Sequence, residues 1–238
     1  MKNYLKTQRN QFGQTTGFSL EENVTASPVQ GNIFGQYVQL VDVADGITNQ
    51  VAEQLWKAVS TEPDEQCWTY LPYSAPQSQH SLKDSLDNLF GFKDSTHFLI
   101  QVAEEIHGWV ALLNPRLGHG VIEIGNVYFS HKMKKSKAST ETIFLLLEQC
   151  FAHGFRRIEW KCDDCNEPSK AAALRFGFQY EGVFRQDRII KGHNRNTAWF
   201  SIVDDEWSEL KNAYQQWLNP DNFDWQGIQK QKLSDFFD

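Results

Sequence analysis

The sequence lacks several features that mark common protein classes. None of its apolar runs approaches the roughly eighteen residues of a membrane-spanning helix. Its first thirty residues are polar and lack the apolar centre of a signal peptide. The glycine-rich motifs Gly-x-x-x-x-Gly-Lys-Ser/Thr and Gly-x-Gly-x-x-Gly are also absent, which argues against the common nucleotide-binding folds. We therefore expect a cytoplasmic protein that neither spans nor binds a membrane.

Basic residues are scarce relative to acidic ones. The formal net charge of −7 argues against a general nucleic-acid binder and makes any local lysine cluster informative. Hydrophobic content of 40% and charged content of 22% are ordinary for a globular protein, whose core at this length forms without disulfides or metals. We expect an N-terminal arm at 1–35, one main domain at 36–205, and a C-terminal helix and tail at 206–238.

The stretch 121–182 carries the most information. Val121–Phe129 is rich in β-branched and aromatic residues and reads as a strand, and four lysines follow between Lys132 and Lys137. An apolar helix then runs from 139 to a capping glycine at 154, a second strand covers 157–162, and a short helix starts at 166. Helix N-termini bind anions, so the helix start beside the lysines predicts a phosphate site.

The rest of the chain completes a mixed α/β pattern. We expect a strand at 35–43, an amphipathic helix at 47–59, and a helix from 81 that carries Leu82, Leu86 and Leu89. Strand hairpins are expected at 97–113 and 180–203, with a last helix at 204–217. The connection through 121–162 should place its two strands parallel, so the sequence predicts an α/β domain with a mixed sheet and helices on both faces.

Three groups of residues in this stretch and beyond it resemble the GNAT superfamily of N-acetyltransferases, in particular the branch with the ribosomal-protein N-terminal acetyltransferases. They are Ile124-Gly125 with Tyr128-Phe129 and Ser139-Thr140-Glu141; Asn166-x-x-Ser169 with Phe176-Gly177-Phe178; and Glu181-Gly182-Val183-Phe184-Arg185 with Trp199-Phe200-Ser201 and Glu206-Trp207. The three groups together cover roughly residues 36–210. Any one group alone would be weak evidence, but their order and spacing together are specific for the family. The resemblance implies a mostly antiparallel sheet whose central parallel pair splays apart to hold coenzyme A.

The resemblance also implies where acetyl-CoA, the expected cosubstrate, binds. The contacts would come from the strand end, the lysine loop with the helix start, and the second helix start: Asn126, Val127, Tyr128 and Phe129; Lys134, Lys135, Ser136, Lys137, Ala138, Ser139 and Thr140; and Asn166 and Ser169. Two positions depart from the family pattern. The loop 134–138 contains no glycine, and Ala173 stands where many members carry a tyrosine that acts as general acid.

Acetyl transfer to an amine requires a base for the amine proton and a proton donor for the leaving sulfur. Ser169 is our first candidate for the sulfur, while a serine that only faces solvent on the first helical turn is the structural alternative. Glu123 and Glu159 are candidate bases, and Tyr128 and Tyr180 are alternative acids. By the resemblance, Trp68, Tyr70 and Tyr73 border the acceptor cleft; ordinary packing of aromatic residues under a loop explains them equally well.

Four cysteines invite a zinc interpretation, because Cys150-x-x-His153 and Cys162-x-x-Cys165 have metal-ligand spacing. The first pair ends a helix and the second ends the next strand, so about six strand residues, or roughly 20 Å, separate them. We therefore expect no metal and reduced, non-catalytic cysteines.

The leading interpretation is an acetyl-CoA-dependent N-acetyltransferase acting on a small-molecule amine or on a peptide or protein N-terminus. A non-catalytic acyl-CoA-binding module on the same fold is the main alternative, favoured by the glycine-free loop and Ala173. A nucleotide-binding α/β protein is a weaker alternative, because the glycine-rich nucleotide motifs are absent. The aromatic tail at 219–238 either covers the domain's own surface or contacts a second subunit in a homodimer.

Overall fold

The computed structural model describes residues 3–20, 25–44, 46–90 and 94–237. Within those residues lie five α-helices: α1 Asn49–Val59, α2 Gln79–Phe90, α3 Lys137–Ala152, α4 Glu167–Arg175 and α5 Asp204–Leu218. Ten strands accompany them: β1 Thr7–Arg9, β2 Thr15–Gly17, β3 Ile33–Phe34, β4 Gln39–Asp42, β5 Thr96–Val102, β6 Glu105–Arg116, β7 Val121–Phe129, β8 Arg157–Asp163, β9 Gln179–Ile190 and β10 His193–Val203.

Eight of these strands form one sheet in the order β3-β4-β5-β6-β7-β8-β10-β9. Neighbouring strands are antiparallel throughout, except that β7 and β8 are parallel. Helix α3 connects these two parallel strands. The expected fold class, a mixed and mostly antiparallel sheet with a central parallel pair, is confirmed. No helix among the described residues is both long and apolar enough to cross a bilayer.

The two faces of the sheet bury separate apolar cores. On one face, Ile122, Ile124 and Ile158 pack with the apolar residues of α3 and with Tyr214 and Trp217 of α5. On the other face, α1 and α2 pack over one half of the sheet only, around residues such as Leu55, Leu86, Trp109 and Tyr128. The half of this second face that lies beyond β7 is not covered by these helices and carries charged side chains such as Glu159 and Lys161 together with the aromatic pair Trp199 and Phe184.

The structure differs from the sequence expectations mainly at the ends of the chain. The first expected strand, 35–43, is shorter because Gly35 and Tyr37 lie in a turn that binds the carboxylate of Glu141 on α3, which accepts from three backbone N–H groups (Gln36 at 2.8 Å, Tyr37 at 2.6 Å and Val38 at 2.8 Å). The N-terminal arm contains the small hairpin β1–β2, which was not expected.

The aromatic tail packs on its own domain. Leu233 is buried, and Phe223, Phe236 and Phe237 pack against the core that contains α3 and α5. Of the two roles that the sequence left open for this tail, covering the domain is therefore the one observed. The side chain of Leu89 and residue Asp238 lie outside the described residues.

Candidate functional site

Strands β7 and β8 form a fork. Their register contains only three pairs, Val121 with Arg157, Ile122 with Ile158 and Glu123 with Glu159. Beyond these pairs, β7 continues to Phe129 alongside β6, and β8 continues to Asp163 alongside β10. The facing edges of the two strands are thus unpaired with each other over their carboxyl ends, which leaves backbone N–H and C=O groups for a ligand.

A β-bulge distorts β7 inside this fork. The register with β6 shifts between the pairs Trp109–Tyr128 and Ala111–Gly125, so Asn126 and Val127 together oppose one residue. Asn126 has φ of 46°, a left-handed conformation that asparagine tolerates better than most residues. Its side-chain Oδ1 accepts a hydrogen bond from the Tyr73 hydroxyl at 3.3 Å, while its Nδ2 is buried and has no partner among the described residues. The bulge changes the direction of the backbone at the residues for which the family resemblance implies coenzyme contacts.

Helix α3 starts at the open end of the fork, directly after the lysine-rich loop. Ser136 is its N-cap: the Ser136 hydroxyl accepts from the Ser139 N–H and the Ser139 hydroxyl accepts from the Ser136 N–H, each at 3.2 Å. Thr140, in the first turn, accepts a hydrogen bond from Arg175 of α4 at 3.0 Å. The remaining N–H groups of the first turn and this guanidinium give the helix start an anion-binding character.

The lysines of the loop do not act as one cluster. Lys134 bonds the carboxylate of Glu62 at 2.9 Å, in the segment after α1, and Glu62 is almost fully buried. The ammonium of Lys137 lies 4.9 Å from the ring centroid of Tyr37 and 4.4 Å from that of Phe223. Lys135 is exposed and has a left-handed φ of 59° in the turn, the conformation for which a glycine would otherwise be used. Of the three lysines that were predicted to contact phosphate, Lys134 and Lys137 already have partners within the chain.

Helix α4 starts at the open end of the other strand. Asn166 caps it, because its Oδ1 accepts from the Ser169 N–H at 3.1 Å. The Ser169 hydroxyl accepts from the indole N–H of Trp160, also at 3.1 Å. It also bonds the thiol of Cys162; burial raises the pKa of this thiol and the bond with Ser169 partly opposes that rise. Ser169 is therefore oriented from two sides and adjoins a sulfur atom already.

The open face of the fork carries buried charge. The carboxylate of Glu123 bonds the ammonium of Lys161 at 2.7 Å and the amide of Asn114 at 2.6 Å, and the side chains of Glu123 and Lys161 are 4% and 10% exposed. This ion pair crosses from β7 to β8 just where the two strands separate. Glu159, the other candidate base, bonds Arg116 at 2.5 Å and Arg157 at 3.0 Å. Both candidate carboxylates thus have cationic partners.

Tyr128, the candidate acid, is part of the second core. Its ring stacks on Trp109 with centroids 4.3 Å apart and on Trp68 at 5.1 Å, and its hydroxyl donates to Glu62 at 3.0 Å. Burial, with a further contribution from the Glu62 carboxylate, raises the pKa of Tyr128 strongly. The other candidate, Tyr180, is half exposed and contacts Phe200. Within the part of the chain that the structure describes, neither tyrosine hydroxyl forms a hydrogen bond with the Ser169 hydroxyl.

The aromatic loop between α1 and α2 is joined by hydrogen bonds to the end of β8 and to the β9–β10 hairpin. The Tyr70 hydroxyl donates to the backbone oxygen of Cys165 at 2.9 Å, and the Lys191 ammonium donates to the backbone oxygen of Trp68 at 2.6 Å. Lys191 is at the tip of the β9–β10 hairpin. A cavity of about 410 Å³ lies at this junction, lined by Lys191 and by loop residues from Glu65 to Ala75. Tyr73 contacts the bulge, as described above, so the loop spans from the hairpin to the fork.

Several polar residues of this site were not identified from the sequence. Lys161 could have been noticed, since Glu159 and Lys161 alternate with apolar residues in one strand and must share a face. Arg175 and Lys191 gave no signal, because their partners lie 35 and 123 positions away in the chain. Contacts of this kind depend on the tertiary fold alone.

Comparisons with known proteins agree with this geometry. The sequence profile described as the Acetyltransferase (GNAT) family matches residues 60–178. A GCN5-related N-acetyltransferase from Brucella melitensis is 38% identical, with a TM-score of 0.85 over 91% of this chain and 98% of that chain. A GNAT-family protein from Chromobacterium violaceum is 31% identical, with a TM-score of 0.72 over 81% and 96%.

Similarity of fold extends further. A Salmonella typhimurium acetyltransferase that modifies the N-terminal serine of ribosomal protein L7/L12 has a TM-score of 0.59 at 17% identity, over 71% of this chain and 96% of that chain. At that identity the likeness concerns the fold alone. A search of curated protein sequences gave no match.

Proposed function

Because the chain belongs to the GNAT family of acetyltransferases, we propose that it transfers an acetyl group from acetyl-CoA to a primary amine of a small molecule or of a peptide or protein N-terminus. The observation that carries the proposal is the fork. Two strands that separate after three register pairs, each followed at its open end by a helix start, provide an extended slot with an anion site at its mouth.

The residues of this chain fit the coenzyme. The first turn of α3, with the Arg175 guanidinium beside Thr140 and the exposed Lys135, would hold the pyrophosphate. The free edges of β7 and β8 would bond the amides of the pantetheine arm. The Asn166 side chain has its oxygen engaged in the cap, so its NH₂ group remains to donate to that arm. Acetyl-CoA supplies the thioester that is attacked.

The chain's own groups can then assist the reaction at three atoms. Backbone N–H groups at the Asn126–Val127 bulge would donate to the thioester oxygen as negative charge develops there. The Ser169 hydroxyl, whose lone pair accepts from Trp160, would turn its hydrogen from the Cys162 sulfur to the leaving sulfur. Glu123 would receive the amine proton, directly or through water, while Lys161 holds its carboxylate in place.

The acceptor amine would approach from the face that α1 and α2 leave uncovered. There the α1–α2 loop and the β9–β10 hairpin face each other across the fork, joined by the bond of Lys191 to the Trp68 carbonyl. Trp68 is buried in the core, and its backbone oxygen lies at this junction. Tyr70 bonds the Cys165 oxygen after β8, and Tyr73 bonds Asn126 at the bulge of β7. A cleft that is open to solvent at one side suits either a small amine or an extended chain terminus.

The experiment that tests the function has two stages. Calorimetric titration with acetyl-CoA, CoA and ATP should give micromolar binding of acetyl-CoA and CoA and none of ATP. A panel of small amines and of peptides with different N-terminal residues should then release CoA, with the acetylated product identified by mass spectrometry. Coenzyme binding without turnover of any amine would contradict the proposed transfer, and binding of ATP in preference to CoA would contradict the donor site.

A further inference from the structure

One aromatic side chain is displayed almost completely to solvent. The ring of Trp225 is 91% exposed, more than any other large apolar side chain among the described residues. Exposure of a whole indole ring forgoes the free energy that its burial would contribute. Eight tryptophans occur in the chain, and Trp109 shows the contrast, since it is fully buried.

The turn that carries Trp225 is ordered by its own hydrogen bonds. One carboxylate oxygen of Asp224 accepts from the N–H groups of Gln226 at 2.9 Å and Ile228 at 2.8 Å. The Asp224 N–H in turn donates to the Ile228 oxygen at 3.0 Å, and Phe223 pairs with Gln229 in an isolated antiparallel bridge. The exposed ring therefore projects from a turn that is held in place by hydrogen bonds.

This turn lies beside the start of α3. The Phe223 ring packs edge-on against Trp217 of α5, with centroids 5.1 Å apart, and it lies 4.4 Å from the ammonium of Lys137. Lys137 is the first residue of α3. Because two residues span at most about 7 Å, Trp225 starts from a backbone position close to that of Phe223. The Trp225 backbone is thus within about 7 Å of Phe223, whose ring contacts the side chain of the first residue of α3.

We propose that Trp225 is a stacking platform for the adenine ring of the coenzyme. The inference rests on the proposed function, since it extends the donor site from the pyrophosphate to the adenosine. In CoA the adenosine is attached directly to the pyrophosphate, so an aromatic ring just beyond the pyrophosphate site is where a base can stack. Stacking on aromatic side chains is a general means of binding nucleobases.

The surroundings of the ring favour a single base over a protein partner. The turn around Trp225 is polar, with Asp224, Gln226 and Lys230, and the other exposed apolar side chain on it is Ile228 at 58%. Protein interfaces bury roughly 1,200 Å² or more, far beyond what one indole and one isoleucine provide. One flat ring matches the size of one adenine.

The test compares CoA with 4′-phosphopantetheine, which lacks the adenine ring together with the ribose, its 3′-phosphate and one phosphate of the pyrophosphate. Calorimetry would measure the binding of each ligand to the full chain and to Trp225→Ala, so that the effect of the substitution on each ligand is compared with the wild type. The variant should bind CoA about 5- to 150-fold more weakly, the range of base stacking on an aromatic side chain. Its affinity for 4′-phosphopantetheine should equal that of the wild type. Trp225→Phe should recover part of the CoA affinity.

Phe12→Ala provides a matched control, because Phe12 is a 76% exposed aromatic residue of the separate β1–β2 hairpin region. It should leave both affinities unchanged, and none of the variants should lower the melting temperature appreciably. Unchanged CoA affinity in Trp225→Ala, with normal binding by the wild type, would overturn the platform and leave the acetyltransferase proposal intact. Loss of a dimer in that variant at unchanged CoA affinity would overturn it too. Absence of CoA binding by the wild type would overturn both proposals.

Discussion

The two ends of the β7–β8 pair are built from the same two strands and have opposite properties. At the paired end, three register pairs are reinforced by charge: Arg157 bonds Glu159 at 3.0 Å and Glu181 through two bonds of 2.6 and 2.5 Å. At the open end, backbone edges are free and two buried donors, Asn126 Nδ2 and Trp199 Nε1, have no partner among the described residues. Buried donors normally have partners. The paired end thus stabilises the fork, and the open end leaves two donors that the proposed coenzyme could bond.

The ion pair at the branch point should show the largest effect. Lys161→Met would leave the Glu123 carboxylate, 4% exposed, without its cation, and breaking a buried pair in this way costs about 3–5 kcal/mol. Urea unfolding would measure the loss. Lys161→Met combined with Glu123→Leu should recover most of it, because no charge is then left buried. A cost below about 1 kcal/mol for the single change would mean that solvent already screens the pair.

At the open end, Ser169→Ala should lower turnover more than coenzyme binding. If Ser169 supplies the proton of the leaving sulfur, kcat should fall about 100-fold while the Kd of acetyl-CoA stays the same. Steady-state kinetics together with calorimetry would separate the two quantities. Ser208→Ala, at an exposed position of α5, is the control for a serine change outside the fork. An equal loss of kcat and affinity would instead make Ser169 a binding residue.

The bulge can be tested through its backbone conformation. Asn126→Val places a β-branched residue at φ of 46° and should cost about 1–2 kcal/mol of stability. Because the bulge also aims the backbone donors, acetyl transfer should fall as well. Asn126→Gly keeps the conformation accessible and should retain most of the activity, although it loses the bond from Tyr73. Similar activity in both variants would show that the bulge conformation is not needed for transfer.

The order of elements in the fork was predictable, because its signals are local. The strand pattern of Val121–Phe129, the helix start at Ser139 and the Asn166-x-x-Ser169 helix start all depend on neighbouring residues, and each element was found within a few residues of its expected place. The hairpin β1–β2 was missed because its residues are mostly exposed and polar, without the alternation that marks a half-buried strand.

The partners within the site were not predictable, because they join distant segments. The lysine loop was interpreted as one cradle, but Lys134 pairs with Glu62, which lies 72 positions earlier. Likewise, nothing local indicates that Lys161 faces Glu123 across the fork or that Phe223 reaches Lys137. Such pairs are set by the separation and twist of whole strands and by where the tail docks.

The smallest expected effect concerns pH and the paired end. Hydrogen bonding to Arg157 lowers the pKa of Glu181 below its ordinary value of 4.5. A depressed carboxylate pKa contributes stability above pH 4.5, and this contribution is lost as the pH falls towards the folded-state pKa. The melting temperature of Glu181→Gln should therefore fall less steeply with decreasing pH than that of the wild type. The difference should be slight, because Glu181 is partly exposed and salt screens its charge. Glu209→Gln, on the exposed side of α5, should leave the decline unchanged.

The hydrogen bond from the Tyr37 hydroxyl to the Leu218 oxygen, at 3.2 Å, has a consequence for how the protein is made. It joins residues 181 positions apart, and the same region of α3 also receives Phe223 from the tail and the amides of 36–38. The surroundings of the start of α3 are therefore completed only after Leu218 and Phe223 have left the ribosome. Contacts of such sequence separation form late and slowly. Nascent chains arrested before Trp217 should remain more sensitive to protease around α3 than the released protein.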